Sequence, residues 1–483
     1  MKNTTQLLPG FHPFTLRKKP KTKAQKLAEK IEKLKQHSIS KLGDYFNKFI
    51  PNNELQNNNN GHFSRLRLFS KSNIFWAFFS QVLDADAGCK EAVKKIQALM
   101  ASKLKKIPSG SSSAYCQARL KLEAESLDKI LKHTSNTPEN NASWKNRRVV
   151  VVDGTGLSMP DTPANQEKYP QQATQKKGCG FPQARALACF CLLSGKLLSY
   201  KLGNKKSHEL ILLREQHGTF EKDDIFLGDK MFCSYFDINE FKNMSVDSVI
   251  THAKRIPKNE TNAIKVIDKD DLLIQWKKPV HTPRTSYTKA QWQELPDTLT
   301  LRQITVTVKN KGFRVQSFII VTTLLDAKKY TTSDIADLYY QRWDVELFFR
   351  DIKTTMGMDI LRCKTPQMVE KEITMYLIVY NCIRSLMIEA AENLEVLPRL
   401  ISFKATIQAL RQWQYLLNYS SENHLKIRQS LIDVIIDSTL FQRLGRSEPR
   451  CVKRRPKPGP LMTQPRVVLK ALLLHGENHA NVA

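Results

Sequence analysis

The chain has 483 residues, 41% of them hydrophobic, which is the composition of a globular protein with room for two to four domains. Its formal net charge of +30 and pI near 9.7 call for a polyanionic partner, nucleic acid first, with a membrane surface as the lesser alternative. No run approaches the roughly 18 apolar residues of a membrane span, the opening MKNTTQLLPGFHPF lacks the apolar core of a signal peptide, and the nine cysteines form no CxxC pair, so a reducing, cytosolic protein without structural zinc is expected.

Residues 1–66 form a basic N-terminal segment in which Leu27, Ile31 and Leu34 make a short helical stripe among lysines. That stripe suits either a clamp on a DNA backbone or a solvated amphipathic helix. The run Asn57 to Asn60, then Gly61, reads as a linker. Residues 67–145 read as helical. Ile74, Phe75, Phe78, Phe79 and Val82 share one face, and a third helix starting near Ser113 carries Tyr115, Arg119 and Lys121. A small helical unit with a basic third helix is either a DNA-end-binding domain or a plain bundle.

At Arg148 the period changes. Val149 to Val152 reads as a buried central strand ending in Asp153, opening a first α/β segment over 146–253. A polar, proline-rich loop follows from Met159. Two strands, 184–193 and 196–202, are joined at Ser194-Gly195 as a hairpin. After a helix over 207–217, Ile225 to Gly228 is another strand, again ending in an acid, Asp229. A helix near Tyr235 and a strand from Val246 complete a mixed α/β sheet.

Residues 254–323 read as a β-rich insertion, with strands 263–267, 272–276, 301–308 and 315–322. Over 324–394 the α/β segment resumes. In YYQRWDVELFFRDIK, Tyr339, Arg342, Glu346 and Lys353 fall in one arc of a helix at about 100° per residue, beside an apolar arc of Leu338, Val345, Phe349 and Ile352. A phenol, a guanidinium, a carboxylate and an ammonium facing outward suit a metal ion and a phosphate chain held together; ordinary surface charge pairs are the alternative. The rest, 395–483, reads as helices 401–417 and 425–440 and a basic, proline-broken tail from Arg446.

Three carboxylates thus have defined places, Asp153 and Asp229 on strand ends and Glu346 on a helix. Hard divalent cations take oxygen ligands, and two ions roughly 3.5–4 Å apart activate an attacking hydroxyl and stabilise a leaving oxygen. The spacing Tyr339-x2-Arg342-x3-Glu346-x6-Lys353 resembles the Y-R-E-K signature of the insertion-sequence-four family of DDE transposases. VVVDGT and IFLGD resemble that family's two Asp regions. GLSMPDTPANQEKYPQ, QKKGCGFPQAR, AYCQARLKL and the KRRPK tail resemble one branch of it, so the likeness runs from about Phe75 to the end.

The resemblance implies an RNase H-like core with a β-rich insertion, flanked by an N-terminal helical domain and C-terminal helices. It implies that Asp153, Asp229 and Glu346 are catalytic and hold two Mg²⁺ ions, replaceable by Mn²⁺, while Tyr339, Arg342 and Lys353 contact DNA phosphates. It implies cleavage at transposon ends and joining of the 3′-OH to target DNA, by a homodimer on paired terminal inverted repeats in the bacterial nucleoid. A DNA-binding derivative without catalysis, or a nuclease without strand transfer, is the competing reading. In related enzymes an aromatic of the insertion holds a flipped base; Trp276 and Trp292 are available, although no motif marks either and a core role is the plainer reading. After Asp229 the chain has Lys230-Met231-Phe232 where the family usually has Arg-Gly-aromatic, which predicts an altered turn.

Overall fold

The computed structural model describes residue 46 and residues 49–474, except 65–67, 87, 103, 137–143, 205–206, 252–262, 281–286, 309–315, 420–423, 441–461 and 463. The basic stripe at Leu27 to Leu34 and the KRRPK tail lie outside the described residues.

Four helices come first: α1 (Lys71–Leu83), α2 (Cys89–Ser102), α3 (Ser113–Leu120) and α4 (Ala124–Thr134). Ser70 caps α1 by accepting from the Asn73 amide, which satisfies one of the donors a helix start leaves open. The apolar face expected on α1 is buried, with Ile74, Phe75, Phe78 and Phe79 inaccessible to solvent.

A nine-stranded sheet follows, made of β1 (Val149–Ser158), β2 (Gln183–Cys191), β3 (Leu197–Asn204), β4 (Ile225–Gly228), β5 (Asp247–Thr251), β6 (Ala263–Asp268), β7 (Asp271–Lys277), β8 (Thr298–Val308) and β9 (Gln316–Thr322), in the order β3-β2-β1-β4-β5-β9-β8-β7-β6. β1, β2 and β3 pair antiparallel, whereas β1, β4 and β5 pair parallel. An antiparallel meander continued by two parallel strands, in the order 3-2-1-4-5, is the RNase H-like arrangement. The β-rich insertion continues this sheet, because β9 pairs with β5 at Val249↔Thr322, Ile250↔Val321 and Thr251↔Ile320.

Alternation along the strands sends side chains to two cores. Val149, Val151, Ile225 and Leu227 face one layer; Val150, Val152 and Phe226 face the other. Each such fully buried side chain contributes about 1.5–3 kcal/mol relative to exposure. The second layer holds short helices α6 (Glu209–Arg214) and α7 (Tyr235–Asn243), together with α8 (Lys289–Gln293).

The first layer contains α11 (Pro366–Leu394), a 29-residue helix starting with Pro366 in its first turn and closed by Glu395 in the left-handed conformation. By length and composition α11 is apolar enough to cross a membrane, which corrects the expectation that no such run exists; 94% of its apolar 18-residue part is buried inside the fold, where α1 and α4 pack against the helix. Two C-terminal helices, α12 (Phe403–Tyr419) and α13 (His424–Ile436), pack on α11, and α14 (Arg466–Leu474) follows.

Two local expectations change. The strand at Val149 does not end at Asp153: it runs to Ser158, because β2 pairs with it along that whole length. The proline-rich loop contains a short helix, α5 (Pro163–Lys168), capped by the Thr162 side chain on the Asn165 amide.

Candidate active site

β1 outruns β4. They pair at Val149↔Ile225, Val150↔Phe226 and Val151↔Leu227, and β4 then stops at Gly228. Past that point the β4-side edge of β1 is open, and Asp153 and Asp229 flank the opening on the face shared with Val151 and Leu227. Asp153 Oδ1 accepts from the Gly154 amide at 2.7 Å. Asp229 Oδ1 accepts from the Met231 amide at 2.8 Å and caps a 3₁₀ turn over Lys230–Phe232. That turn needs no glycine, since neither Lys230 nor Met231 has a positive φ; the departure from Arg-Gly leaves the Asp-bearing turn well formed.

The helical run that covers this opening is not one regular helix. It consists of α9 (Thr332–Tyr340), a 3₁₀ turn (Gln341–Trp343), α10 (Asp344–Arg350) and a π turn (Asp351–Thr355). A capping box between Thr331 and Asp334 sets its start. Arg342 Nη1 lies 3.8 Å from Asp153 Oδ2. Its buried Nε has no hydrogen-bond partner among the described residues. Lys353 Nζ donates to Thr155 Oγ1 at 3.1 Å and to the Gly156 carbonyl at 3.0 Å. Glu346 lies between these two anchors with an exposed side chain.

Tyr339 and Arg342 are buried, which corrects the expectation of an outward-facing stripe. The Tyr339 hydroxyl bonds Thr251 at the end of β5, and its ring lies 5.5 Å from Phe318. Burial raises the Tyr339 pKa against the opposing pull of Arg342.

Burial likewise pushes the Asp153 carboxyl up to about 6, with Asp229 and Glu209 adding to the rise and the Gly154 amide and Arg342 opposing it. Asp229 has no ion-pair partner among the described residues. Two neighbouring carboxylates, one of them with a guanidinium 3.8 Å away, are a hard-oxygen donor pair, which fits a divalent cation. The third acid is not gathered with them: among the described residues no three Asp, Glu, His or Cys side chains stand close enough to hold an ion.

Two neighbours went unread in the sequence. Glu209, the first residue of α6, presses on β1 so closely that a Cβ on Gly154 would lie 2.6 Å from its carboxylate oxygen. Trp343 is 54% exposed, with the Arg342 guanidinium 4.4 Å from its ring centroid. By contrast Trp276 and Trp292 are 3% and 9% exposed. Trp276 packs edge-on to Tyr235, and Trp292 donates to the Pro279 carbonyl at 3.0 Å. Both are core residues, and neither is presented to a base.

The family of transposase DDE domains matches residues 144–382. Transposase InsG for insertion sequence element IS4 of Escherichia coli (strain K12) is 25% identical over 428 residues, spanning 86% of this chain and 92% of the relative. The chain belongs to the DDE transposases of the insertion-sequence-four family. Shorter matches join it to the putative transposase InsL for insertion sequence element IS186A of E. coli (strain K12) and the transposase for insertion sequence element IS421 of E. coli. Each is 32% identical over 63 residues, 13% of this chain and 17% of the relative. A cryo-EM structure of a piggyBac transposase synaptic complex with hairpin DNA aligns over 80% of both chains at 8% identity and a TM-score of 0.42. Transposases act on DNA, and domains of this family generally use divalent metal ions.

Proposed function

We propose that this transposase moves DNA by cut-and-paste, cleaving the ends of its element and joining the freed 3′-OH to target DNA. The observation that carries the reading is the juxtaposition of Asp153 and Asp229 under a helical run anchored on the same strand end by Arg342 and Lys353. Asp153, Asp229 and Glu346 are the residues that would hold Mg²⁺, two ions in all, with Mn²⁺ able to replace it. Bound there, the metal supplies charge stabilisation and an acidified water or hydroxyl at neutral pH.

The chain's own part is positioning. Arg342 and Lys353 lie at the two ends of the exposed Glu346 segment, where a guanidinium and an ammonium suit adjacent phosphates of a DNA strand. In the first step a water oxygen bonds to phosphorus and the 3′-oxygen leaves. In the second that 3′-oxygen bonds to a target phosphorus and the target's 3′-oxygen leaves. Both are in-line displacements in which alignment and charge account for most of the rate. Glu346, exposed between Arg342 and Lys353, is the residue that would complete the metal-holding set with the two Asp carboxylates.

The substrate is double-stranded DNA with terminal inverted repeats, held as a pair by a homodimer, and the site of action is the bacterial cytoplasm at the nucleoid. The test is cleavage and joining of linear DNA carrying the gene's own flanking sequence, with Mg²⁺, beside Glu346→Gln. Defined cleavage and joining by the wild type, lost in Glu346→Gln while DNA retention persists, is the expected result. Retention without cleavage by the wild type would make the protein a DNA-binding derivative, and cleavage without joining would make it a nuclease.

A further inference from the structure

The helical run that carries Glu346 and Lys353 changes to a π turn between them. In that turn the Met356 amide donates to the Asp351 carbonyl, five residues back, at 3.0 Å. Such wide turns are rare and occur frequently at functional sites. In a regular α-helix residues seven apart nearly align; the wider turn rotates Lys353 off the line through Glu346. With that rotation the Lys353 ammonium bonds Thr155 and Gly156 on β1.

What holds the turn is buried. Asp351, its first residue, is 6% exposed and accepts from Arg384 Nη2 at 2.7 Å. Arg384 lies on α11 and is itself buried. Its Nε donates to the Tyr380 hydroxyl at 2.9 Å, and that hydroxyl donates to the Gly195 carbonyl at 2.6 Å. A hydrogen-bonded line therefore runs from the π turn through the core helix to the β2–β3 hairpin. The Arg384 guanidinium also stacks 5.0 Å from the Phe348 ring on α10. Gly195 has φ +67°, and a Cβ there would lie 3.0 Å from both Arg384 Cζ and Phe348 Cε1. The hairpin closes directly on the pair.

A buried ion pair is a poor source of stability, because desolvation offsets most of its attraction and an apolar pair of like volume holds a core as well or better. What an ion pair provides and an apolar pair does not is a fixed direction. Here the direction is imposed on the turn that carries one site residue, Lys353, and follows the helix that carries the other, Glu346. We infer that Arg384 and Asp351 are positioning residues for DNA cleavage: their bond locks the π turn, and with it the offset of Glu346 and Lys353 over β1. The inference rests on the reading of Glu346 as a metal-holding carboxylate.

The test is the full-length double variant Asp351→Leu/Arg384→Met, which replaces the pair by apolar side chains. Thermal unfolding, affinity for DNA carrying the flanking sequence, and the single-turnover cleavage rate across a Mg²⁺ titration are measured together. An unfolding midpoint near wild type, affinity within twofold, cleavage at least tenfold slower and a raised half-saturating Mg²⁺ concentration are expected. A folded double variant that cleaves at the wild-type rate overturns the inference. If the double variant does not fold, Asp351→Asn decides. It keeps the side-chain shape but exchanges the charge-assisted bond to Arg384 for a weaker neutral one, and is expected to bind DNA normally and cleave several-fold more slowly; a wild-type rate there overturns the inference equally. Glu346→Gln run alongside separates the two claims, since cleavage surviving in it removes the metal reading itself.

Discussion

Lys353 and Thr155 tie the end of the helical run that carries Glu346 to the far end of β1. The ammonium donates to Thr155 Oγ1 at 3.1 Å and to the neighbouring Gly156 carbonyl at 3.0 Å. With two of its three donors on the protein, Lys353 retains one for a phosphate. Lys353→Met is expected to weaken DNA binding modestly and to reduce the slope of log affinity against log salt by about 1. It is expected to slow cleavage more than it weakens binding, because the helix loses its tether. An unchanged salt slope, read from binding at several salt concentrations, would leave Lys353 as a tether alone.

Asp153 carries a pH signature in the metal-free protein. Its carboxyl is raised to about 6 in the fold, against about 3.9 when unfolded. Below the unfolded value the carboxyl is protonated in both states and adds no cost. As pH rises from the unfolded value to the folded one, the unfolded chain ionises while the folded carboxyl still holds its proton, and the protein loses up to about 3 kcal/mol of stability. Asp153→Asn is therefore expected to be more stable than wild type above pH 6 in a chelator, and to lose that advantage toward pH 4. Mg²⁺ at pH 8 is expected to raise the wild-type unfolding temperature and leave that of Asp153→Asn nearly unmoved. Calorimetric scans across pH check both.

Arg302 couples the added strands to the start of α9. Fully buried on β8, it pairs with Asp271 of β7 through Nε at 2.8 Å and through Nη2, while Nη1 donates to the Tyr330 carbonyl at 2.5 Å. Thr332, the first residue of α9, donates to the same carboxylate at 2.9 Å. Arg302→Met alone strands a buried charge and is expected to cost about 3–5 kcal/mol; the double change with Asp271→Leu is expected to recover most of it. Urea midpoints distinguish these outcomes, and equal destabilisation by the single and double variants would refute the pairing argument.

The tryptophans should divide by burial. Trp276→Ala opens a core cavity and is expected to cost about 3–5 kcal/mol. Trp343→Ala, at an exposed side chain beside Arg342, is expected to change stability by under about 1 kcal/mol while weakening DNA-end binding or cleavage. If Trp343→Ala left both DNA readouts intact, the indole would be only a shelf for the guanidinium.

The sequence made the site's parts legible unevenly. The four-valine run and the IFLG run each pointed to a strand with an acid after it, and burial of both was readable from composition alone. Asp153 was read as the end of its strand, and the strand's continuation through Gly154 and Gly156 was hidden, since two glycines read as a turn until β2 is seen pairing across them. The arc of Tyr339, Arg342, Glu346 and Lys353 assumed one helical pitch, whereas the run contains 3₁₀ and π turns that no local pattern marks. Glu209 and Arg384 carried no signal at all. Their relevance comes from contacts with residues 55 and 33 positions away, at Gly154 and Asp351, and such pairings exist only after folding.

The pairing of β9 with β5 has a mechanical meaning. A module joined by loops alone can swing on a hinge when it grips DNA, but strands laced to a core sheet by backbone hydrogen bonds cannot. Force applied at β6 passes through β7, β8 and β9 to β5, whose last residue, Thr251, bonds Tyr339 three residues before Arg342. Among the described residues the outer strands are therefore joined to the core sheet by successive strand pairings, and a displacement at the sheet's far edge is passed on to Thr251, beneath the helical run that carries Glu346.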